Sequence, residues 1–377
     1  DGDGWLDLFV TNYVTVAQPD TNICHADGGK LRLYCPPRRY PRERDLFYRN
    51  RGDGTFEDRT EAAGISGLHG RGLGVVATDF DRDGWPDIYV ANDLDANFLY
   101  RNRGDGTFEE LGLLSGASHS EDGAEESGMG VAVGDYDNDG WMDLFVTNFV
   151  DETNTLYHNE GGGYFLDESA SSGLGPASLP YVAWGTHFFD YDRDGWLDLF
   201  VTNGHTESDA EKSDPTTSWK QPDFLFRNRG DGTFTDVTAG AAPVLLEMRA
   251  GRGAAFGDLD DDGDIDIVIV NQNGPAELLE NSGADGNHWI GVRLTATRGN
   301  RDALGARVEL WAGGLRGTQE ARAGSSYLSS NDPRLHFGLA GTAAVDSVVV
   351  TWRAGETEVW TDIAADRYHD LREGEGR

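Results

Sequence analysis

The most regular feature of the chain is a short apolar run that recurs directly after an acidic, glycine-bearing stretch. It reads Leu8-Phe-Val10, Ile88-Tyr-Val90, Leu144-Phe-Val146, Leu199-Phe-Val201 and Ile267-Val-Ile-Val270. β-Branched and aromatic residues over so few positions predict strands. Ahead of the acidic stretch lies a glycine-punctuated apolar segment, as in Gly72-Leu-Gly74-Val-Val-Ala77 and Gly128-Met-Gly130-Val-Ala-Val133. Further on stand Leu46-Phe-Tyr-Arg-Asn50, Phe98-Leu-Tyr-Arg-Asn102 and Phe224-Leu-Phe-Arg-Asn228, each followed by Arg-Gly-Asp-Gly-Thr-Phe. Asp-Gly between two such runs signals a tight hairpin. One unit is therefore strand, acidic loop, strand, connection, strand, tight turn, strand. Four antiparallel strands repeated at roughly 40 to 70 residues predict an all-β chain built from propeller blades.

The acidic stretches share one register. They read Asp79-Phe-Asp81-Arg-Asp83-Gly84-Trp85-Pro-Asp87, Asp135-Tyr-Asp137-Asn-Asp139-Gly140-Trp141-Met-Asp143, Asp190-Tyr-Asp192-Arg-Asp194-Gly195-Trp196-Leu-Asp198 and Asp258-Leu-Asp260-Asp-Asp262-Gly263-Asp264-Ile-Asp266. A fifth copy opens the chain as Asp1-Gly-Asp3-Gly4-Trp5-Leu-Asp7, without its first aspartate. Complete copies begin at 79, 135, 190 and 258, at intervals of 56, 55 and 68 residues. Aspartates at positions one, three, five and nine, with glycine at six for the sharp turn, make a ring of oxygens suited to a hard cation. Position seven, held by Trp5, Trp85, Trp141, Trp196 or Asp264, offers its backbone carbonyl. All-oxygen ligation disfavours zinc, and magnesium keeps its waters and tolerates strained geometry poorly, so the expectation is calcium: four complete sites and one truncated. An EF-hand needs glutamate at position twelve, whereas these copies hold Val90, Val146, Val201 and Ile269 in strand-like runs. Acidic turns without metal are the alternative, weakened by repetition in one register.

Energetics favours a structural role. Carboxylates a few ångströms apart repel when no cation is present. At millimolar calcium and a dissociation constant of about 10⁻⁴ M, each site would stabilise by roughly 1.5 kcal/mol, and four by about 6 kcal/mol, comparable to the net stability of a domain.

Other features divide between structural and functional readings. The position-seven indoles fit packing between blades better than sugar stacking. The Arg-Gly-Asp triplets at Arg51, Arg103 and Arg229 suggest an integrin ligand, but each falls in the same hairpin turn. Cys24 and Cys35 lie in a Pro- and Arg-rich stretch; a bridge is expected over free thiols, contributing roughly 3 kcal/mol in the chain-entropy model, with His25 incidental. Insertions at 13–45 and 204–222 occupy the same place in their units, so both are expected on one face, the place to look for binding.

Composition narrows the classes. With 66 acidic against 31 basic side chains the formal charge is −35, a field that repels nucleic acid and anionic membrane surfaces. Aromatics at 11% separate the chain from disordered acidic tails, and its 51 glycines among 377 residues suit a turn-rich fold. No apolar run approaches the roughly 18 residues of a membrane span. The length is that of two or three domains. Residue 1 is Asp and the chain opens inside a repeat, so we expect a start, and any export signal, upstream.

The Gly-x-Gly-x-Ala strand followed by Asp-x-Asp-x-Asp-Gly-x-x-Asp resembles the FG-GAP (VCBS-type) repeats of integrin α-chain propellers over residues 1–283. Beyond it, Asn287-His-Trp-Ile-Gly-Val-Arg293, Asn300-Arg-Asp-Ala-Leu-Gly-Ala-Arg307, Gly324-Ser-Ser-Tyr-Leu328 and Asn331-Asp-Pro-Arg-Leu-His-Phe-Gly338 resemble the ASPIC/UnbV domain, over 284–377. The combination is similar to the cartilage acidic protein family and its bacterial relatives. The resemblance implies a secreted, calcium-binding protein without established catalysis, with seven blades in full and about five visible here. Lysine occurs only at 30, 212 and 220, which points towards a GC-rich bacterial source. Read from the residues alone, 288–374 predicts a small β-sandwich with strands near 290–294, 307–311, 347–352 and 356–361. Arg301, Asp302, Arg307, Asp332 and Arg334 form either a polar site or, by preference, buried or interdomain ion pairs.

Catalytic signatures are scarce: there is no Gly-x-Ser-x-Gly elbow, Walker loop, His-Glu-x-x-His or zinc-type cysteine cluster. The expected function is a non-catalytic extracellular, periplasmic or cell-surface interaction or adhesion scaffold for a protein or glycan ligand. The alternative is a polysaccharide-binding or lyase-like propeller, for which His187, interrupting the apolar pattern before Asp190, is the residue to mutate.

Overall fold

A computed structural model describes residues 1–17, 22–26, 29, 31–283, 286–353 and 355–377. Five small antiparallel sheets follow one another along the repeats. The second contains Gly72–Thr78, Asp87–Asn92, Phe98–Asn102 and Phe108–Glu110, paired in chain order. The third (Val131–Gly134, Asp143–Val146, Thr155–Asn159, Phe165–Asp167) and fourth (Ala183–Phe189, Asp198–Asn203, Phe224–Asn228, Phe234–Asp236) repeat that order. The first and fifth sheets have three strands among the described residues, where the repeat pattern predicts four: Leu8–Val10, Leu46–Asn50, Phe56–Asp58, and Gly251–Gly257, Asp266–Asn271, Glu277–Leu279. After the fifth sheet the chain turns into the C-terminal region instead of adding an outer strand. The architecture is an all-β, propeller-like array of repeats.

The larger apolar clusters lie between two sheets and not within one. Val76, Tyr89 and Leu99 of the second blade pack with Val131, Leu144 and Tyr157 of the third. Aromatic contacts recur at the same junctions, with ring centroids 5.5 Å apart for Phe47–Phe108 and Phe80–Phe165 and 5.7 Å for Tyr136–Phe234. A single blade cannot bury both faces of its sheet, so the repeats depend on stacking. The Gly-x-Gly segments serve this stacking: a Cβ at Gly74 would stand 2.4 Å from the Met129 carbonyl oxygen, and one at Gly130 would stand 2.0 Å from that of Trp184. Only glycine lets the first strands of neighbouring blades approach so closely.

Two sheets make the C-terminal region. One orders Leu335–Gly338, Trp289–Thr295 and Tyr368–Arg372; the other orders Leu315–Glu320, Arg307–Ala312, Ser347–Thr351 and Thr357–Trp360. They enclose a core that includes Ile290, Val292, Val308, Leu310, Val348, Val350 and Trp352. The segment between Glu320 and Leu335 leaves this sandwich and runs along the first strands of the third, fourth and fifth blades. Ser326 exchanges both backbone hydrogen bonds with Val131, at 3.2 and 2.6 Å. Its hydroxyl accepts from Thr186 N (3.0 Å), and Asp332 N donates to Phe256 O (2.9 Å). Inner strand edges that would otherwise be unpaired are thus satisfied.

Cys24 and Cys35 are joined in a disulfide with Cα atoms 5.1 Å apart, in a hairpin formed by Cys24–Ala26 and Leu31–Leu33. The two insertions touch, since Tyr34 N donates to Glu207 Oε1 at 2.7 Å. Residues 18–21 and 27–28 of the first insertion lie outside the described residues, as does Lys30. Among the described residues no helix is long and apolar enough to cross a membrane.

Candidate metal centres in the aspartate loops

Backbone geometry fixes each loop. The position-six glycines have φ of +91° (Gly84), +96° (Gly140), +91° (Gly195) and +90° (Gly263). Position four is also left-handed although it is not glycine: Arg82 (59°), Asn138 (60°), Arg193 (56°) and Asp261 (62°), while the first loop places Gly2 there (83°). Four such residues, at roughly 1 kcal/mol each, persist only where surrounding bonds hold them.

Those bonds come from the aspartates. At position nine both carboxylate oxygens accept backbone N–H groups: Oδ1 from the asparagine that ends the third strand, Oδ2 from the loop's second residue. Asp87 accepts from Asn102 (2.8 Å) and Phe80 (3.2 Å), Asp143 from Asn159 (2.8 Å) and Tyr136 (3.2 Å). Asp198 accepts from Asn228 (2.8 Å) and Tyr191 (3.0 Å), Asp266 from Asn281 (2.9 Å) and Leu259 (3.0 Å). Asp7 accepts the Asn50 amide in the same way, at 2.9 Å. At position one, Asp79, Asp190 and Asp258 take the amides of positions five and six at 2.8–3.1 Å.

Positions three and five are different. One oxygen accepts a loop amide, as for Asp81 from Asp83 (3.2 Å) and Asp83 from Trp85 (2.9 Å), and the other faces a cation from the third strand. Arg101 reaches Asp81 (2.6 Å) and Asp83 (3.6 Å); Arg227 reaches Asp192 (2.8 Å) and Asp194 (2.9 Å); Arg49 reaches Asp1 (2.7 Å) and Asp3 (3.3 Å). The third blade has His158 there and the fifth has Glu280.

Carboxylate oxygens gather within 4.8 Å of one another in four loops: Asp79/Asp81/Asp87, Asp135/Asp137/Asp143, Asp190/Asp192/Asp194 and Asp258/Asp260/Asp262. Asp139 joins Asp137 and His158 in a further group. Asp83, Asp198 and Asp266 stay outside these groups, engaged by Arg101 or by backbone amides. Asp264 pairs with Arg193 at 3.2 Å. In the first loop Asp1, Asp3 and Asp7 form no such group among the described residues. Burial is the main force on the gathered carboxyls. It raises Asp79 to about 6, Asp135 to about 7 and Asp87 to about 8, and holds Asp143, Asp190 and Asp198 well above the usual carboxylate range. Neighbouring aspartates add to the rise. Both Asp135 oxygens and Asp192 Oδ1 are buried without a well-formed hydrogen bond. A hard, oxygen-preferring dication fits this donor set, because it would supply the missing partner and stabilise the ionised forms.

Three indoles pack against the turn glycine of their own blade, and Trp5 remains 57% exposed. A Cβ on Gly52, Gly104 or Gly230 would stand 2.6–2.7 Å from Trp5, Trp85 or Trp196, so each ring lies on the turn of its own blade. Trp141 is covered by the Arg82 guanidinium of the preceding loop, 3.9 Å from the ring centroid. In the Arg-Gly-Asp turns, Asp53, Asp105 and Asp231 accept from the amide and hydroxyl of Thr55, Thr107 and Thr233 at 2.6–3.1 Å, so these carboxylates serve the turn.

The C-terminal sandwich covers the aspartate-loop end of the blades. Tyr368 Oη donates to Asp258 Oδ2 (2.7 Å), His336 Nε2 lies 2.8 Å from Gly263 O, and Ala340 N donates to Arg193 O (2.8 Å). Arg316 reaches Asp139 O (3.2 Å), and Glu320 accepts from Thr78 Oγ1 (2.7 Å) and Asp79 N (3.3 Å). The five polar residues singled out in this region do not converge. Arg334 bridges Asp332 and Asp261 of the fifth loop, whereas Arg307 lies 3.9 Å from Glu309. His187 is bonded to the Asn331 amide (3.1 Å) and lies against Phe256, and desolvation lowers its imidazole to about 3. It joins the fourth blade to the C-terminal segment.

The asparagines at or just beyond the ends of the third strands are site residues that the metal-ligand pattern does not include. Beyond their amide bonds to position nine, their side chains reach the preceding loop: Asn159 Nδ2 to Phe80 O (3.0 Å), Asn228 to Tyr136 O (2.8 Å) and Asn281 to Tyr191 O (2.9 Å). Their recurrence at one offset before each turn was the available signal.

Comparisons with known proteins agree with this architecture. FG-GAP-like repeats match residues 1–90, 79–146, 135–201 and 216–269, and the ASPIC and UnbV domain matches 296–377. Cartilage acidic protein 1 of Homo sapiens is 30% identical over 81% of this chain and 44% of its own length; that of Mus musculus is 27% identical over 99% and 53%. The chain thus spans about half the length of these relatives. An Agrocybe aegerita lectin that recognises non-reducing terminal N-acetylglucosamine is similar at 20% identity over 63% of this chain and 60% of its own, with a TM-score of 0.35, too low to carry an argument. With these matches covering most of its length, the chain belongs to the FG-GAP-like repeat family and carries an ASPIC and UnbV domain, homologous to cartilage acidic protein 1.

Proposed function

We propose that this chain is a calcium-stabilised, non-catalytic interaction scaffold of an extracellular, periplasmic or cell-surface protein. The observation that carries the reading is the recurrence of gathered carboxylate oxygens at the same place in four consecutive loops. Calcium held there by the position-one, three, five and nine aspartates would stabilise the ionised form of carboxyls whose ionisation burial opposes, and would tie each blade to the sandwich above it. The division near residues 283 and 284 then separates a metal-bearing repeat array from a domain that caps it. The opposite ends of the blades, where the two insertions meet, are the proposed surface for a protein or glycan ligand; the charge of −35 argues against nucleic acid.

Calorimetric titration of calcium into chelator-stripped protein, with thermal melts alongside, tests the reading. Four or five sites and a melting temperature at least about 10 °C higher with calcium are expected, from roughly 6 kcal/mol of linked binding. No calcium uptake, or an unchanged melting temperature, would overturn it.

A further inference from the structure

The third aspartate loop differs from the others in its donors. Where the first, second and fourth blades place Arg49, Arg101 and Arg227, it places His158, on the strand Thr155–Asn159. His158 Nε2 is 2.9 Å from Asp137 Oδ2 and 3.8 Å from Asp139 Oδ2, and Nδ1 is 3.3 Å from Glu160 Oε1. An arginine in this place is a fixed cation that competes with a metal, whereas an imidazole can itself be a ligand. A second observation is independent of the histidine. Asp135 is 1% exposed, and neither of its oxygens has a well-formed hydrogen bond although the Gly140 amide and the Thr318 hydroxyl are close, while Asp79, Asp190 and Asp258 at the same position each accept loop amides at full hydrogen-bond geometry. Asp137 belongs both to the histidine group and to the group with Asp135 and Asp143, which places the two groups side by side.

We propose that this loop binds a borderline divalent transition metal, of the Zn²⁺ or Co²⁺ class, through His158 Nε2 and the carboxylates of Asp137 and Asp139, with Asp135 completing the set. The proposal rests on the reading of the aspartate loops as cation sites and assigns one of them a different metal. Two ligand atoms each about 2.1 Å from one tetrahedral ion lie about 3.4 Å apart, between the 2.9 and 3.8 Å that separate Nε2 from Asp137 and Asp139. Calcium selects oxygen, while an imidazole nitrogen favours zinc, cobalt and nickel. Glu160 supplies the outer contact such a site uses: a carboxylate on Nδ1–H fixes the tautomer that leaves Nε2 free to ligate.

The test uses untagged, chelator-stripped full chain, titrated with Co²⁺ by calorimetry and visible absorption in saturating calcium. One equivalent of Co²⁺ with ligand-field bands is expected, displaced by Zn²⁺. His158→Arg, which restores the side chain of the second and fourth blades and so preserves the fold, should abolish that equivalent and leave calcium binding elsewhere intact. Glu160→Gln should weaken it about tenfold. No Co²⁺ uptake, or uptake unchanged in His158→Arg, overturns the proposal even if calcium binds as expected. Co²⁺ uptake that depends on His158 in a chain that binds no calcium supports it while removing the calcium reading.

Discussion

The two ends of a blade solve the same backbone problem with different side chains. At the end opposite the aspartate loops, the asparagine that closes the second strand has its N–H accepted by a side-chain oxygen just before the third strand. Asp45 accepts from Asn12 (3.0 Å), Asn97 from Asn92 (2.8 Å), Asn154 from Asn148 (2.8 Å) and Asp223 from Asn203 (2.7 Å). Aspartate and asparagine interchange there because a single oxygen does the accepting. At the loop end, position nine takes two N–H groups on two oxygens, and every copy is aspartate, since an amide would turn an NH₂ against one of them. Counting acceptors therefore explains the position-nine carboxylates without a metal. It does not explain positions three and five, whose second oxygens face arginine, histidine or, in the fifth blade, no cation from the third strand. A metal is called for by those positions and by Asp135.

Breaking the rule where it is strictest has the largest expected effect. Asp198→Asn should destabilise by about 3 kcal/mol or more, because it opposes two donors in a buried place; a urea unfolding curve close to that of the parent would refute the acceptor count. Next comes Asp223→Asn, a swap the chain itself makes at Asn97 and Asn154. Burial raises Asp223 to about 7, so the folded state holds a proton that the unfolded state releases near 3.8. Its contribution is fully present below the unfolded value and is lost as pH rises through about 7. The variant should remove a slope of up to about 1.4 kcal/mol per pH unit from the stability profile over that window, and equal profiles would contradict the assignment. Asn154→Ala leaves the buried Asn148 N–H without an acceptor and should lower stability by about 1–2 kcal/mol, read from the denaturation midpoint. The smallest effect belongs to Arg227→Gln. This side chain is 46% exposed, so metal-free stability should fall by only about 0.2–1 kcal/mol. Calcium affinity at the fourth loop should rise, and a fall would show that Arg227 helps to hold the site.

Residue spacing made the repeats legible because blades are local. A strand, a tight Asp-Gly turn and a strand ending in Arg-Asn lie within a few tens of residues, and each turn depends on its own glycines. Asp79, Asp135, Asp190 and Asp258 could be aligned for that reason, and position six could be assigned its left-handed glycine. Position four could not, because arginine and asparagine give no advance sign that tertiary bonds will hold them at positive φ. Nor could the pattern show that Asp198 and Asp266 would be committed to backbone amides, since the donors come from a strand some 15 to 30 residues away.

By itself the sequence determined the all-β repeat, the acidic loops and their register and the hairpin turns, all of which follow from short-range pattern and turn chemistry. Only the tertiary structure decided that the sandwich sits on the loop end of the blades, that Ser326 and Asn331 line the inner strands, that His187 is a joint and that His158 stands where its counterparts carry arginine. Those outcomes bring together residues up to 242 positions apart, such as Thr78 and Glu320. The period of a repeat carries no information about such contacts, because what selects them is the burial and hydrogen bonding of edges and loops that no single blade can satisfy alone.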